Sequence, residues 1–145
     1  MGNPVQPDDR LAYAVSLLKG AEAIGASAHK QGRRLVQPFF LLICFALENG
    51  LKAYLQHCGV DGTEKIDRAP LAHDLKRLAD LATKAGLVLP KDSSNLIDSL
   101  SDYHFQHQFR YPKNAGTVEI FSNEFTYVWA DKALASVARG IGYVP

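Results

Sequence analysis

The sequence lacks several features that would assign it to a familiar class of protein. Only two of its 145 residues are cysteines. Cys44 and Cys58 lie on one predicted helix, about 21 Å apart, which is too far for a disulfide bond. Neither sign of charge dominates, since the formal net charge is +1, so no global electrostatic attraction to nucleic acid is expected. The N-terminal segment MGNPVQPDD shows no basic stretch followed by an apolar one, and we expect a cytoplasmic protein.

The motifs of the common enzyme classes are also missing. The sequence contains no Gly-x-Ser-x-Gly motif, no phosphate-binding loop and no dinucleotide fingerprint, which leaves hydrolases, kinases and dehydrogenases without support. It contains no CxxC motif either. His104 and His107 have the spacing of helical metal ligands, but no carboxylate on their helix completes a zinc site of three or four ligands. The sequence therefore predicts no metal and no cofactor.

What the sequence does contain is typical of a single helical domain over residues 1–145. Hydrophobic residues make up 47% and charged residues 21%, as in globular proteins. Residues 1–7 hold two prolines and are expected to form a loose lead-in. Apolar residues then recur at helical spacing between glycine and proline breaks. The expected helices run from Asp8 or Asp9 to about His29, from about Leu35 to Gly59, from Leu71 to Gly86, from the possible N-caps Asp92, Ser93 and Ser94 to Pro112, and from about Phe121 to Arg139.

These patterns predict an all-α fold of about five helices in an antiparallel up-and-down bundle. The short connections between the predicted helices favour antiparallel neighbours. In the last helix, the apolar residues available for the core are Phe121, Phe125, Val128, Trp129, Leu134 and Val137.

The second predicted helix is the most apolar part of the chain. Nine consecutive apolar residues, Phe39–Leu47, precede Glu48, and this run is too short for a membrane span of about 20 residues. Glu48 and Lys52 are spaced as an i,i+4 ion pair, which is ordinarily a surface feature. Because Glu48 directly follows the apolar run, we predict that its carboxylate is buried and bonded to a group from another helix. Gly50 beside it leaves space for a neighbouring side chain or subunit.

The densest group of polar residues is the segment YHFQHQFRYP, which starts at Tyr103. His104 and His107 are i,i+3 neighbours on a helix, and Arg110 lies one turn further on. Two imidazoles can share general acid and base roles while an arginine holds a phosphate, an arrangement suited to phosphodiester cleavage. The alternative is that Tyr103 and His107 simply continue a leucine stripe and are half-buried. We favour this structural interpretation.

The pair His73-Asp74 opens the third predicted helix. Asp74 suits the positive end of the helix dipole. His73 can either cap the helix or point its imidazole into a cleft, and we favour capping.

Three segments in order resemble the HEPN (higher eukaryotes and prokaryotes nucleotide-binding) family: ALENGLKAYL, AHDLKRLADLA and YHFQHQFRYP. The resemblance lies in a glutamate three residues before Leu-Lys, in His-Asp-Leu at a helix start, and in Tyr followed by Arg-Tyr-Pro. It implies an all-α bundle that forms a homodimer and works in toxin–antitoxin, phage-defence or stress systems. The residues that the resemblance assigns to a shared polar or RNA-binding site are Glu48, Lys52, His73, Asp74, Tyr103, Arg110 and Tyr111.

Many members of that family are metal-independent endoribonucleases that use Arg, four to six residues and then His near the start of a late helix. This sequence departs from the signature, because Arg139 in the last helix is followed by no histidine. Arg68 and His73 have the spacing, but they lie in the wrong place with Pro70 between them.

Two functions therefore stay open. The first is a non-catalytic interaction module that binds a second copy or a nucleotidyltransferase. The second is an endoribonuclease, or an RNA- or nucleotide-binding protein, with His104, His107 and Arg110 as its catalytic residues.

Overall fold

The computed structural model describes residues 5–31, 36–60, 66–67, 73–105 and 123–143. Five helices occur in this part of the chain: α1 (Pro7–Gln31), α2 (Val36–His57), α3 (Leu75–Lys84), α4 (Lys91–Phe105) and α5 (Asn123–Ile141). The described ranges contain no strand. The predicted all-α bundle is confirmed, with helix ends close to those that the glycine and proline breaks predict.

Helix α2 lies at the centre and packs against all four other helices. Its largest fully buried side chains are Phe39, Ile43, Leu47, Leu51 and Leu55. Among the described helices, α2 is the one long and apolar enough to cross a membrane, but 72% of its apolar window is buried within the bundle. Such burial is typical of the core helix of a soluble protein. Cys44 within it and Cys58 just after it are both free, as their spacing predicts.

Helices α1 and α2 form an antiparallel pair that glycine brings close together. A Cβ placed on Gly25 would lie 3.1 Å from the ring of Phe39, and one on Gly20 would lie 3.5 Å from Leu42 Cδ1. Later residues of α2 thus contact earlier residues of α1, as expected for an antiparallel pair. The small residues of α1 let its backbone approach the bulky side chains of α2.

Helix α3 begins beside the middle of α2. Gly59, with φ +80°, ends α2 in the left-handed conformation. His73, two residues before α3, contacts the Glu48 carboxylate. At the other end of α3, the hydroxyl of Tyr54 donates to the Ala85 carbonyl at 3.3 Å. Since His73 contacts Glu48 and Ala85 contacts Tyr54, α3 runs in the same general direction as α2. Helices α3 and α4 are antiparallel, because Lys76 N–H donates to Ser101 Oγ while the earlier His73 lies beside the later His104. The expected antiparallel arrangement of neighbouring helices therefore does not hold for α2 and α3.

Helix α5 buries part of the face predicted for it. Leu134 and Val137 are buried as expected and Trp129 is half-buried, while Phe121 lies outside the described residues. Phe125 and Val128 are 57% and 39% exposed, so their assignment to the core is wrong. The residues buried on α5 are Thr126, Ala130, Ala133, Leu134, Ser136 and Val137. Small residues dominate this face, which lets α5 lie close to α2. Tyr127 and Trp129 pack against the core and are partly buried, whereas Phe125 is exposed.

The contact between α5 and α2 yields a prediction. A Cβ on Gly50 would overlap Cδ2 of Leu134, a core residue, so this glycine makes room for the neighbouring side chain. We expect Gly50→Ala to lower the free energy of unfolding by about 1 to 2 kcal/mol, since overpacking costs about 1–3 kcal/mol and the better helix propensity offsets only about 1. Gly20→Ala is the matched control, because its Cβ would make an ordinary contact. It should be neutral or stabilising by up to about 1 kcal/mol in the same urea titration. Equal effects of the two substitutions would contradict this packing.

Candidate functional site

The Glu48 carboxylate is the centre of a buried polar cluster. Its residue is only 4% exposed, and both carboxylate oxygens are paired. Oε1 lies 2.6 Å from Nε2 of His104 on α4 and 2.9 Å from Nδ1 of His73 at the start of α3. Oε2 accepts a hydrogen bond of 2.8 Å from Nζ of Lys52, one turn further along α2. The prediction that Glu48 is buried and bonded to another helix is confirmed.

A second layer of charges connects this cluster to the surface. Nζ of Lys52 also donates to Oδ1 of Asp67 at 2.9 Å. The Arg10 guanidinium binds the same carboxylate through both terminal nitrogens, at 3.2 and 3.1 Å. Asp67 is half-exposed, whereas the Lys52 side chain is only 6% exposed. Alternating charges thus lead from α1, through the connection between α2 and α3, to the buried Glu48.

The cluster keeps its carboxylates ionised. Burial by itself would raise the pKa of Glu48, but hydrogen bonds from His104, Lys52 and His73 and the Lys52 charge together lower that pKa to about 2. The hydrogen bonds from Arg10 lower the pKa of Asp67 to about 2, against a smaller opposing effect of burial and with further help from Lys52. Both groups are therefore anions at any pH near neutral.

The ionised Glu48 fixes where the histidine protons lie. A carboxylate can only accept hydrogen bonds, so the two ring nitrogens that face Oε1 must each carry a proton. These nitrogens are Nε2 of His104 and Nδ1 of His73. The remaining nitrogen of His104, Nδ1, is buried and has no hydrogen-bond partner among the described residues.

The backbone at the start of α3 aims His73 at the cluster. His73 has φ +65°, and it is the one described residue other than glycine in the left-handed region. Such a conformation costs a non-glycine residue free energy and is often found at functional sites. Asp74 caps α3, since its Oδ1 accepts from the Arg77 N–H at 3.1 Å. The capping role favoured for His73 is therefore wrong, while the helix-start role of Asp74 is confirmed.

Phe45 holds the two imidazoles in place. Its ring lies edge-on to His104 at 5.1 Å and to His73 at 6.1 Å between ring centres. The two imidazoles are themselves perpendicular, with centres 5.3 Å apart. Because Phe45 precedes Glu48 by three residues, it lies on the same side of α2 and covers the cluster from one end.

The residues of this cluster differ in what can reach them. Glu48 and His104 are 4% and 1% exposed, so solvent barely contacts them. The side chain of His73 is 28% exposed and forms the accessible edge. Glu48, His73 and His104 each offer one ligand atom, and these three atoms lie within 4.8 Å of one another, a set that could hold a metal ion.

The structure brings together four of the residues that the sequence assigns to the site: Glu48, Lys52, His73 and His104. His107, Arg110 and Tyr111 lie outside the described residues, as does the side chain of Tyr103. Sequence reasoning missed Asp67 and Arg10. The sequence signal for Asp67 was the preceding residue, Ile66, which is apolar. Ile66 is fully buried and so holds Asp67 against the bundle.

The low pKa of Glu48 predicts acid sensitivity. In the unfolded chain this carboxyl titrates near 4.5, whereas its pKa in the folded protein is about 2. Its charge therefore stabilises the fold above pH 4.5, and this stabilisation, on the order of 3 kcal/mol, is lost as the pH falls toward 2. We expect Glu48→Gln to unfold more easily than wild type at pH 7 and the two stability curves to converge in acid. Urea titrations across pH test this, with exposed Asp98→Asn as the control. A constant difference between Glu48→Gln and wild type at every pH would contradict it.

No family model, no curated protein and no solved structure matches this chain. What the cluster can do therefore has to be argued from its own atoms.

Proposed function

We propose that this chain is a HEPN-like helical domain that acts as a non-catalytic interaction module in a bacterial stress, toxin–antitoxin or defence system. Its place of work is the cytoplasm. Its partner is a second copy of the chain. The alternative partner is a nucleotidyltransferase. The all-α bundle supports this proposal, as does the meeting of Glu48, Lys52 and His73, which the resemblance assigns to one site.

The observation that carries the non-catalytic role is the closure of the Glu48 cluster. Glu48 and His104 are the groups best suited to acid–base chemistry, yet both are almost fully buried and bonded to each other. A general base has to come within hydrogen-bond reach of the proton that it abstracts. In this arrangement the pair instead joins α2 to α4 and to the start of α3, which is a structural role.

A protein-binding role is supported by the outer face of α5. Phe125 and Val128 lie one turn apart and are both exposed. The ring of Phe125 stacks on the half-buried Trp129, with centres 5.5 Å apart and an angle of 16° between planes. Aromatic residues on an exposed helix face are enriched at protein interfaces. We assign this face to the contact with the second copy that the family resemblance implies.

The dimer gives a direct test. Wild-type protein should sediment at about twice the 15.9 kDa of one chain. We expect Phe125→Asp to shift it to the monomer without unfolding, because the side chain is 57% exposed and its replacement leaves the core intact. Val88→Asp is the matched control, since Val88 is 81% exposed and lies beside Ser136 and Arg139, more than ten residues along α5 from Phe125. A monomeric wild type would contradict the dimer, and dissociation by both substitutions would contradict this interface.

A second candidate function is binding of RNA or a nucleotide at the edge of the cluster. The specific observation is His73, whose imidazole is partly exposed and whose backbone is held in the left-handed region. An imidazole fixed by a carboxylate on one side can donate to a phosphate or stack on a base on the other. In this function His104 and Glu48 act behind His73 by orienting it.

The RNA function is tested by retention of single-stranded RNA at low salt, where phosphate contacts are strongest. Binding at this edge predicts that His73→Ala weakens retention by about tenfold, within the range given for one stacked base. His57→Ala, an exposed histidine at the end of α2, should leave retention unchanged. If wild type retains no RNA, this second function is ruled out. If wild type cleaves RNA in the presence of a chelator, the non-catalytic proposal is overturned.

A further inference from the structure

We propose that Glu48, His73 and His104 form a binding site for a divalent transition-metal ion of the zinc class. The site takes Oε1 of Glu48, Nδ1 of His73 and Nε2 of His104 as its ligands. This inference goes beyond the interaction role proposed above and does not depend on it.

The chemistry of the donors selects the kind of metal. Two imidazole nitrogens and one carboxylate oxygen suit zinc, cobalt, nickel or ferrous iron, whereas magnesium and calcium prefer oxygen ligands throughout. Three protein ligands also leave one coordination position for water or another small ligand. The exposed edge of His73 provides the route by which an ion and that fourth ligand can enter.

The distances require only small movements. Metal–ligand bonds of about 2.0–2.2 Å in a tetrahedral site place the ligand atoms about 3.3 Å from one another. The two nitrogens now lie 2.6 and 2.9 Å from Glu48 Oε1, and all three atoms fall within 4.8 Å of one another. Separating each nitrogen from the oxygen by less than about 1 Å makes room for the ion.

The three ligands are already held in place by different parts of the bundle. Glu48 lies in the middle of α2 and His104 in the last turn of α4, while His73 directly precedes the cap of α3. Phe45 packs edge-on against both imidazoles. The left-handed backbone at His73 aims its ring at the carboxylate. Such fixed side chains lose little freedom when they bind a ligand.

Two features of the site weaken the binding of a metal ion and therefore limit the affinity that we expect. Lys52 is bonded to the other oxygen of Glu48, so a bound cation is repelled by its charge, although Asp67 offsets part of that charge. Coordination through Nε2 of His104 also places the ring proton on Nδ1, for which the described residues offer no acceptor. Metal-binding histidines usually donate this proton to an acceptor. We therefore expect weaker binding than at a structural zinc site.

The test is a titration of the full, untagged chain with Co²⁺ after treatment with a chelator and its removal. We expect a saturable visible absorption at one equivalent per chain, its displacement by Zn²⁺ but not by Mg²⁺, and a rise of the melting temperature with Zn²⁺. His73→Ala should weaken binding by about tenfold or more, a loss expected when a direct ligand is removed, since even supporting residues cost about 10–100-fold. The control His57→Ala should bind as wild type does.

Lys52→Met provides the second, opposite test. Removal of a positive charge near the carboxylate should tighten Co²⁺ binding by about tenfold, as expected for a unit charge a few ångströms away. No saturable absorption, absorption that survives His73→Ala, or equal competition by Mg²⁺ would overturn the site. None of these outcomes changes the oligomeric state, so failure here is distinguishable from failure of the proposed interaction role.

Discussion

The arrangement of this bundle depends on a single buried negative charge. Glu48 follows nine apolar residues on the central helix and is nearly inaccessible to water. An ionised carboxylate in such a place is tolerated only when donors replace the water that it has lost. Helix α2 itself supplies only Lys52, for one of the two oxygens. The other oxygen is satisfied from outside α2, which draws the start of α3 and the end of α4 to the same level of the bundle.

The sequence carried enough information to locate this charge and the helices around it. Helical periodicity and glycine or proline breaks predicted the elements, because those signals are local to each helix. The burial of Glu48 followed from its position after Phe39–Leu47, since a helix that is apolar on all sides must lie inside a bundle. The role of Asp74 at the start of α3 followed from the preference of helix starts for acidic groups.

The groups that surround the Glu48 carboxylate were harder to predict, because they come from residues distant in sequence. Asp67 and Arg10 are separated by 57 residues, and their pairing depends on how the connection after α2 returns along the bundle. The sequence left open whether His73 caps α3 or points into a cleft. In the structure its left-handed backbone turns the imidazole toward Glu48. The buried face of α5 was misjudged for a similar reason. Thr126, Ala130 and Ala133 are buried while Val128 is exposed, so the size of a side chain, and not only its hydrophobicity, decides which side of α5 faces inward.

The free-energy costs at the cluster are the reason to expect that it binds a ligand in addition to joining the helices. Buried ion pairs are often no more stabilising than hydrophobic residues of similar volume. Here two further costs fall in the same place, namely the left-handed backbone of His73 and the Nδ1 of His104, which has no hydrogen-bond partner among the described residues. A bundle that needed only stability could join α2, α3 and α4 with leucines, as it does elsewhere in its core. These costs occur together at the Glu48 carboxylate and the imidazoles of His73 and His104. These are the groups in the described chain most able to bind an ion or move a proton.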